Sequence, residues 1–136
     1  MVKSKYYSNM KKVLIVDDEP SLRSTLVELL GEEADLEVFE AEHGVAALQI
    51  LNTETIDLIL LDLDMPFLGG AGVIAELQRK PKEYAQPEII ILTNRGDMDT
   101  LSQMMSLNMF EYLIKSDHSL EQIITIVRQK LAQADA

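Results

Sequence analysis

The chain has 136 residues, 47% of them hydrophobic, which is about one domain with enough apolar material for a core. It has no cysteine, which excludes disulfides, zinc–thiolate centres and thiol chemistry and fits a reducing compartment; the expected location is the cytoplasm. A net charge of −11 opposes direct binding to nucleic acid or anionic lipid, and Lys3, Lys5, Lys11 and Lys12 are too few to form a basic patch against it.

Residues 1–10 read as a flexible polar lead-in and 11–134 as one domain. No apolar run approaches the roughly 18 residues of a membrane span, and the lysines near the start lack the apolar run of a signal peptide. The first strand is predicted at 13–16, a short Val/Leu/Ile run ended by Asp17 and Asp18. Pro20 suits the first turn of the helix that follows, with Leu22, Leu26, Leu29 and Leu30 on one face and Gly31 as its stop. A weaker strand at 36–39 leads to a helix after Gly44, with Ala47, Leu48 and Leu51 inward. The third strand runs over 56–61, and a third helix over 72–80 is ended by Pro81.

The fourth strand lies at 88–92. A fourth helical pattern carries Leu101, Met104 and Met105, with Asn108 as a left-handed terminus. The fifth strand lies at 110–114. In the last helix, Ser119 and Gln122 have capping-box spacing, and Leu120, Ile123, Ile124, Val127 and Leu131 follow at helical period. Strand cores with little polar alternation are those of a parallel sheet buried on both faces. The expected fold is therefore α/β: a doubly wound five-stranded parallel sheet of order 2-1-3-4-5, flavodoxin-like, with helices on both faces.

In such sheets, sites form beyond the carboxyl ends of the strands. Asp17 and Asp18 follow the first strand, Asp62 the third, Thr93 the fourth and Lys115 the fifth. Carboxylates brought together repel unless a cation joins them, and oxygen donors suit Mg²⁺, with Mn²⁺ as a substitute. Asp64, two residues past Asp62, offers a backbone carbonyl to the same ion. A threonine hydroxyl and a lysine ammonium suit the oxygens of a phosphoryl group, and a carboxylate can attack phosphorus to form an acyl phosphate. Each residue alone has a plainer reading. Asp18 or Glu19 would serve as a helix cap, Thr93 as a strand-end hydroxyl and Lys115 as a surface charge, while Asp97 and Asp117 suit turns. Five fitting groups ending four strands on one side outweigh those readings.

The segments KVLIVDDEP at 12–20, LILLDLDMPFLGG at 58–70, IIILTN at 89–94 and EYLIKS at 111–116 resemble the receiver domains of bacterial two-component response regulators, over about Lys12 to Leu131. The resemblance implies Mg²⁺ at Asp17, Asp18, Asp62 and Asp64. It implies phosphorylation of Asp62 by a sensor histidine kinase or phosphotransfer protein, and phosphoryl contacts from Thr93 and Lys115. Tyr112 matches the aromatic switch residue, and Met65, Pro66 and Gly70 match the loop after the phosphoacceptor. The implied role is a signalling switch with slow self-dephosphorylation rather than an enzyme. Its output would go to another protein or an attached effector domain. The fourth helix, fifth strand and last helix would form the partner or homodimer surface.

Asn94 stands where the family has a small residue, Ser116 where it has proline, and Asn108-Met109 where it often has Gly-Ala. None of these removes a reacting group. Three rival readings fare worse. A degenerate, unphosphorylated receiver conflicts with the intact polar set. A hydrolase lacks residues for a substrate pocket. A flavin-binding domain would want a Ser/Thr/Gly-rich loop where Asp17-Asp18-Glu19 stand. His43 and His118 are expected as surface loop residues without assigned partners, and the methionines of the fourth helix as core filler.

Overall fold

The computed structural model describes residues 10–63, 65, 68–81, 84, 86–94 and 111–134. Strands β1 (Lys11–Val16), β2 (Leu36–Ala41), β3 (Leu58–Asp62), β4 (Glu88–Thr93) and β5 (Glu111–Ile114) form one sheet. All pairings are parallel, in the order 2-1-3-4-5. Helices α1 (Pro20–Gly31), α2 (Gly44–Thr53), α3 (Gly70–Arg79) and α4 (Leu120–Ala134) complete the described elements. The predicted fourth helical pattern with Leu101, Met104, Met105 and Asn108 lies outside the described residues.

The alternation of side chains along each strand divides the core into two layers. Leu14, Val16, Ile59, Leu61 and Ile91 pack with Ala47 and Leu51 of α2 and Val73 and Leu77 of α3. Val13, Ile15, Leu58, Leu60 and Leu92 pack with Leu26 and Leu30 of α1 and Ile123 and Val127 of α4. Every residue of the central strand β3 is buried, as a strand covered on both faces must be. Each fully buried Leu or Ile contributes about 1.5–3 kcal/mol, so the two layers are the main stabilising element. The edge strand β2 exposes Glu37 and Glu40, charges that discourage pairing with another chain.

Local chemistry sets the element ends. Pro20 is at the start of α1. The last helix has the reciprocal cap predicted for it: Ser119 Oγ accepts the Gln122 N–H at 3.1 Å, and Gln122 Oε1 accepts the Ser119 N–H at 2.7 Å. Strands β2 and β4 run further than their apolar cores, and β3 starts at Leu58 rather than 56. Asp57 turns into the sheet margin instead, its carboxylate accepting the Lys12 N–H at 2.8 Å.

Helix α3 starts at Gly70, two residues before its predicted start, with Gly69 at its N-cap. Two glycines disfavour helix by propensity, but here tertiary contact decides. The Gly70 N–H donates to the Leu63 carbonyl at 3.1 Å, and a Cβ at Gly70 would press on the Asp62 carbonyl. A second close approach pins the same loop. The Gly44 N–H donates to the Leu68 carbonyl at 3.1 Å, and a Cβ at Gly44 would collide with that oxygen. Leu68 itself has a φ of 87°, the left-handed region that a leucine rarely adopts. The N-terminus of α2 therefore holds the chain just downstream of Asp62. Gly44→Ala is expected to destabilise the domain by about 1–3 kcal/mol through overpacking, read as a lower urea midpoint. An unchanged midpoint would mean that the loop simply moves aside.

Candidate functional site

The carboxyl ends of β1 and β3 are neighbours, because β1 pairs with both β2 and β3. This brings carboxylate oxygens of Asp17, Asp18 and Asp62 within 4.8 Å of one another. Asp17 and Asp62 are buried, at 0% and 2% exposure, while Asp18 faces solvent. Lys115, just past β5, reaches across the edge. Its Nζ lies 3.1 Å from Asp17 Oδ2, 3.5 Å from Asp62 Oδ1 and 3.8 Å from Glu19 Oε2.

Burial alone would push the Lys115 ammonium down. The charges of Asp62 and Asp17, the Asp17 contact and the charge of Glu19 outweigh burial and hold its pKa above the ordinary 10.5. One ammonium still faces three carboxylates in this group. Asp17 Oδ2 is buried and receives no well-formed hydrogen bond; the Lys115 contact is a charge contact of poor donor geometry. A buried carboxylate oxygen with spare lone pairs, two further carboxylates and excess negative charge together fit a hard divalent cation.

The plainer reading of the acidic residues fails for the first helix. Glu19 occupies the N-cap position of α1, but no side chain caps there. Asp17 Oδ1 instead accepts the Glu19 N–H at 2.9 Å, which fixes one carboxylate oxygen and leaves the other toward Lys115. Thr93 is fully buried at the end of β4, and its hydroxyl donates to the Asn94 carbonyl at 3.1 Å. Asn94 itself is exposed. In the β4–β5 register Ile91 faces Tyr112 and Thr93 faces Ile114, so Thr93 and Tyr112 share one face of the sheet, two residues apart along it. Tyr112 is 41% exposed.

Ser116 lies in a single 3-10 turn, Lys115–Asp117, and no peptide bond among the described residues is cis. Asp64, Pro66 and Asp97 lie outside the described residues. His43 is not a bystander. Its Nδ1 accepts the Ala46 N–H at 3.1 Å and so caps α2, where the sequence offered no partner for it. His118 Nδ1 lies 3.1 Å from the Ile114 carbonyl. Sequence reasoning also passed over Arg23, whose guanidinium donates to the Asp17 carbonyl at 2.8 Å. Its only signal was a cation one and a half turns beyond the acidic pair.

A doubly wound parallel sheet with carboxylates and a lysine at its carboxyl edge defines a class of α/β signalling domain, and comparison with known proteins agrees. The family model described as response regulator receiver domain matches residues 13–128. The chain is 30% identical over 105 residues to sporulation initiation phosphotransferase F of Bacillus subtilis, covering 77% of this chain and 82% of that protein. It is also 30% identical over 105 residues to the CAI-1 autoinducer sensor kinase/phosphatase CqsS of Vibrio cholerae, covering 77% of this chain but 15% of that kinase. Among solved structures, response regulator protein TrrA of Thermotoga maritima, in complex with Mg(2+)-BeF, is 34% identical. Its TM-score is 0.70, over 90% of this chain and 99% of that one.

The chain belongs to the response regulator receiver domain family. It is a phosphoacceptor receiver domain of two-component phosphorelay signalling, a family of signalling switches. Receiver domains pair with histidine kinases or phosphotransfer proteins and bind Mg²⁺ at an acidic pocket, and Asp17, Asp18 and Asp62 form such a group here. No helix among the described residues is long and apolar enough to cross a membrane.

Lys115 separates two buried carboxylates, so Lys115→Met should lower stability in metal-free buffer by about 3–5 kcal/mol, since removing one partner strands the others. Because its folded pKa is raised, this contribution is complete below the ordinary 10.5 and is lost only as pH rises through the folded value. Urea unfolding at neutral pH measures the loss, and native-like stability in the variant would show that Lys115 does not hold the cluster.

Proposed function

We propose that Asp62 is the phosphoacceptor, that Asp17, Asp18, Asp62 and the Asp64 carbonyl would hold Mg²⁺ or Mn²⁺, and that Thr93 and Lys115 receive the phosphoryl oxygens. The observation that carries this reading is the meeting of three carboxylates within 4.8 Å, with Lys115 Nζ 3.5 Å from Asp62. An Asp62 carboxylate oxygen attacks the phosphorus of a phosphohistidine on a sensor kinase or phosphotransfer protein. The P–N bond breaks, and its electron pair stays on the imidazole nitrogen, which takes a proton from solvent. Held by these carboxylates, Mg²⁺ would offset their mutual repulsion and supply positive charge to the phosphoryl group.

Lys115 supplies the fixed point charge at the same edge, already within charge contact of Asp62 before any transfer. Small donors such as acetyl phosphate serve the same chemistry, because the chain itself carries the nucleophile. Slow attack of water on the phosphorus later restores the carboxylate. Residues 11–134 are the receiver unit, and its compartment is the cytoplasm. The output goes to another protein or an attached effector domain.

Acetyl phosphate with Mg²⁺ should add the mass of one phosphoryl group to the native protein and none at that position to Asp62→Asn. Equal labelling of the two proteins would overturn the assignment of Asp62.

The switch follows from what Thr93 must give up. Its hydroxyl now donates to the Asn94 carbonyl, and a dianionic group on Asp62 offers a stronger acceptor. Thr93 then leaves space on the face that it shares with Tyr112, whose exposed ring can turn inward. The phosphoryl group biases a pre-existing equilibrium and leaves the fold as it is. The surface built on β5 and α4 carries that change to a partner or a second copy. Beryllofluoride at fixed Mg²⁺ should shift the Tyr112 side-chain NMR signals. Shifts confined to the surroundings of Asp62 would place the output on another surface.

A further inference from the structure

The polar groups of Asp17 are divided among four partners. Its N–H donates to the Ala41 carbonyl of β2 at 3.1 Å. Its Oδ1 accepts the Glu19 N–H at 2.9 Å, and its Oδ2 faces Lys115 Nζ at 3.1 Å. Its carbonyl accepts Arg23 Nη1 at 2.8 Å. Arg23 Nε at the same time donates to Glu40 Oε1 at 3.0 Å, one residue before Ala41. The arginine side chain is only 14% exposed, and its backbone N–H bonds the Glu19 carbonyl at 3.0 Å within the first turn of α1. One planar guanidinium thus ties α1, the end of β1 and the end of β2 together.

The carbonyl of Asp17 belongs to the peptide plane that continues into the Asp18 N–H. Because that plane is rigid, anchoring its oxygen also sets the direction in which Asp18 leaves the strand. Asp18 is exposed and has no cap bond to hold it, so its placement beside Asp17 and Asp62 depends on the backbone. The ion pair with half-exposed Glu40 is worth little by itself, whereas the charge-assisted bond to a carbonyl at the site sets geometry.

We propose that Arg23 is a positioning residue for the cation site: it acts through the Asp17 carbonyl to hold the Asp17 and Asp18 carboxylates in their joint geometry. The inference rests on the reading of these carboxylates as Mg²⁺ ligands. Lysine is a poor replacement, because a single ammonium cannot serve the Asp17 carbonyl and Glu40 in the two fork directions of a guanidinium.

The test is a Mg²⁺ titration followed on the Asp17 and Asp18 amide NMR signals, with urea unfolding of each protein in parallel. Affinity is read from folded-state signals, so a loss of stability alone does not move it. Arg23→Ala should weaken Mg²⁺ binding on the order of tenfold, the usual effect of removing an outer-shell partner of a metal ligand. Arg23→Lys should also bind more weakly than the native protein. Glu40→Gln, which keeps the guanidinium, should stay within about twofold, as expected for a half-exposed ion pair.

Native affinity in both arginine variants overturns the proposal, and if Arg23→Ala does not fold, native affinity in Arg23→Lys does so alone. An equal loss in Glu40→Gln overturns it as well, because the effect would then run through the ion pair. Absence of saturable shifts in the native protein would instead defeat the cation reading itself, and this inference with it.

Discussion

Two buried carboxylates, Asp17 and Asp62, stand at the ends of adjacent strands with one lysine between them. Buried like charges are costly, and a fold carries them only if a counter-charge is held in place. Lys115 is that counter-charge, and it comes from the far end of the chain. Pairing of β1 with β3 places Asp17 beside Asp62, and the turn after β5 brings Lys115 to both. One ammonium against these carboxylates leaves the group with excess negative charge, the electrostatic setting that a hard divalent cation fits.

The support around this cluster is mostly backbone. The Glu19 N–H fixes Asp17 Oδ1, the Ala41 carbonyl fixes the Asp17 N–H, and Gly70 lies directly against the Asp62 carbonyl. These bonds fix the Asp17 backbone and one of its carboxylate oxygens, and they pack Gly70 against the strand end that carries Asp62. Asp18 and Tyr112 face solvent, and Thr93 is buried at the end of β4.

The α2 terminus adds a second line of control over the same edge. His43 caps α2 through a ring nitrogen that must be an acceptor, and the next residue, Gly44, grips the Leu68 carbonyl. The loop that follows Asp62 is thus held at both ends, by Gly44 through Leu68 and by Gly70 through Leu63. A leucine persists at a φ of 87° because the surrounding contacts over-determine its backbone.

The sequence by itself determined the element types, the strand order and the identity of the polar residues at the sheet edge. Period and burial pattern are local properties, and the rule that sites form at the carboxyl ends of parallel strands points to one edge, where Asp17, Asp18, Asp62 and Lys115 meet. The reciprocal Ser119–Gln122 cap was legible for the same reason, since both partners lie within one helical turn. Tertiary structure alone decided what depends on distant partners. The early start of α3 follows from Gly70 meeting the Asp62 backbone, against its own helix propensity. The role of Arg23 follows from a carbonyl and a glutamate on two different strands, and that of His43 from an acceptor geometry that composition does not encode. Whether Asp18 was a helix cap or a free carboxylate was likewise open until the fold committed the Glu19 N–H to Asp17, because one donor in a tight turn can serve only one of two adjacent aspartates well.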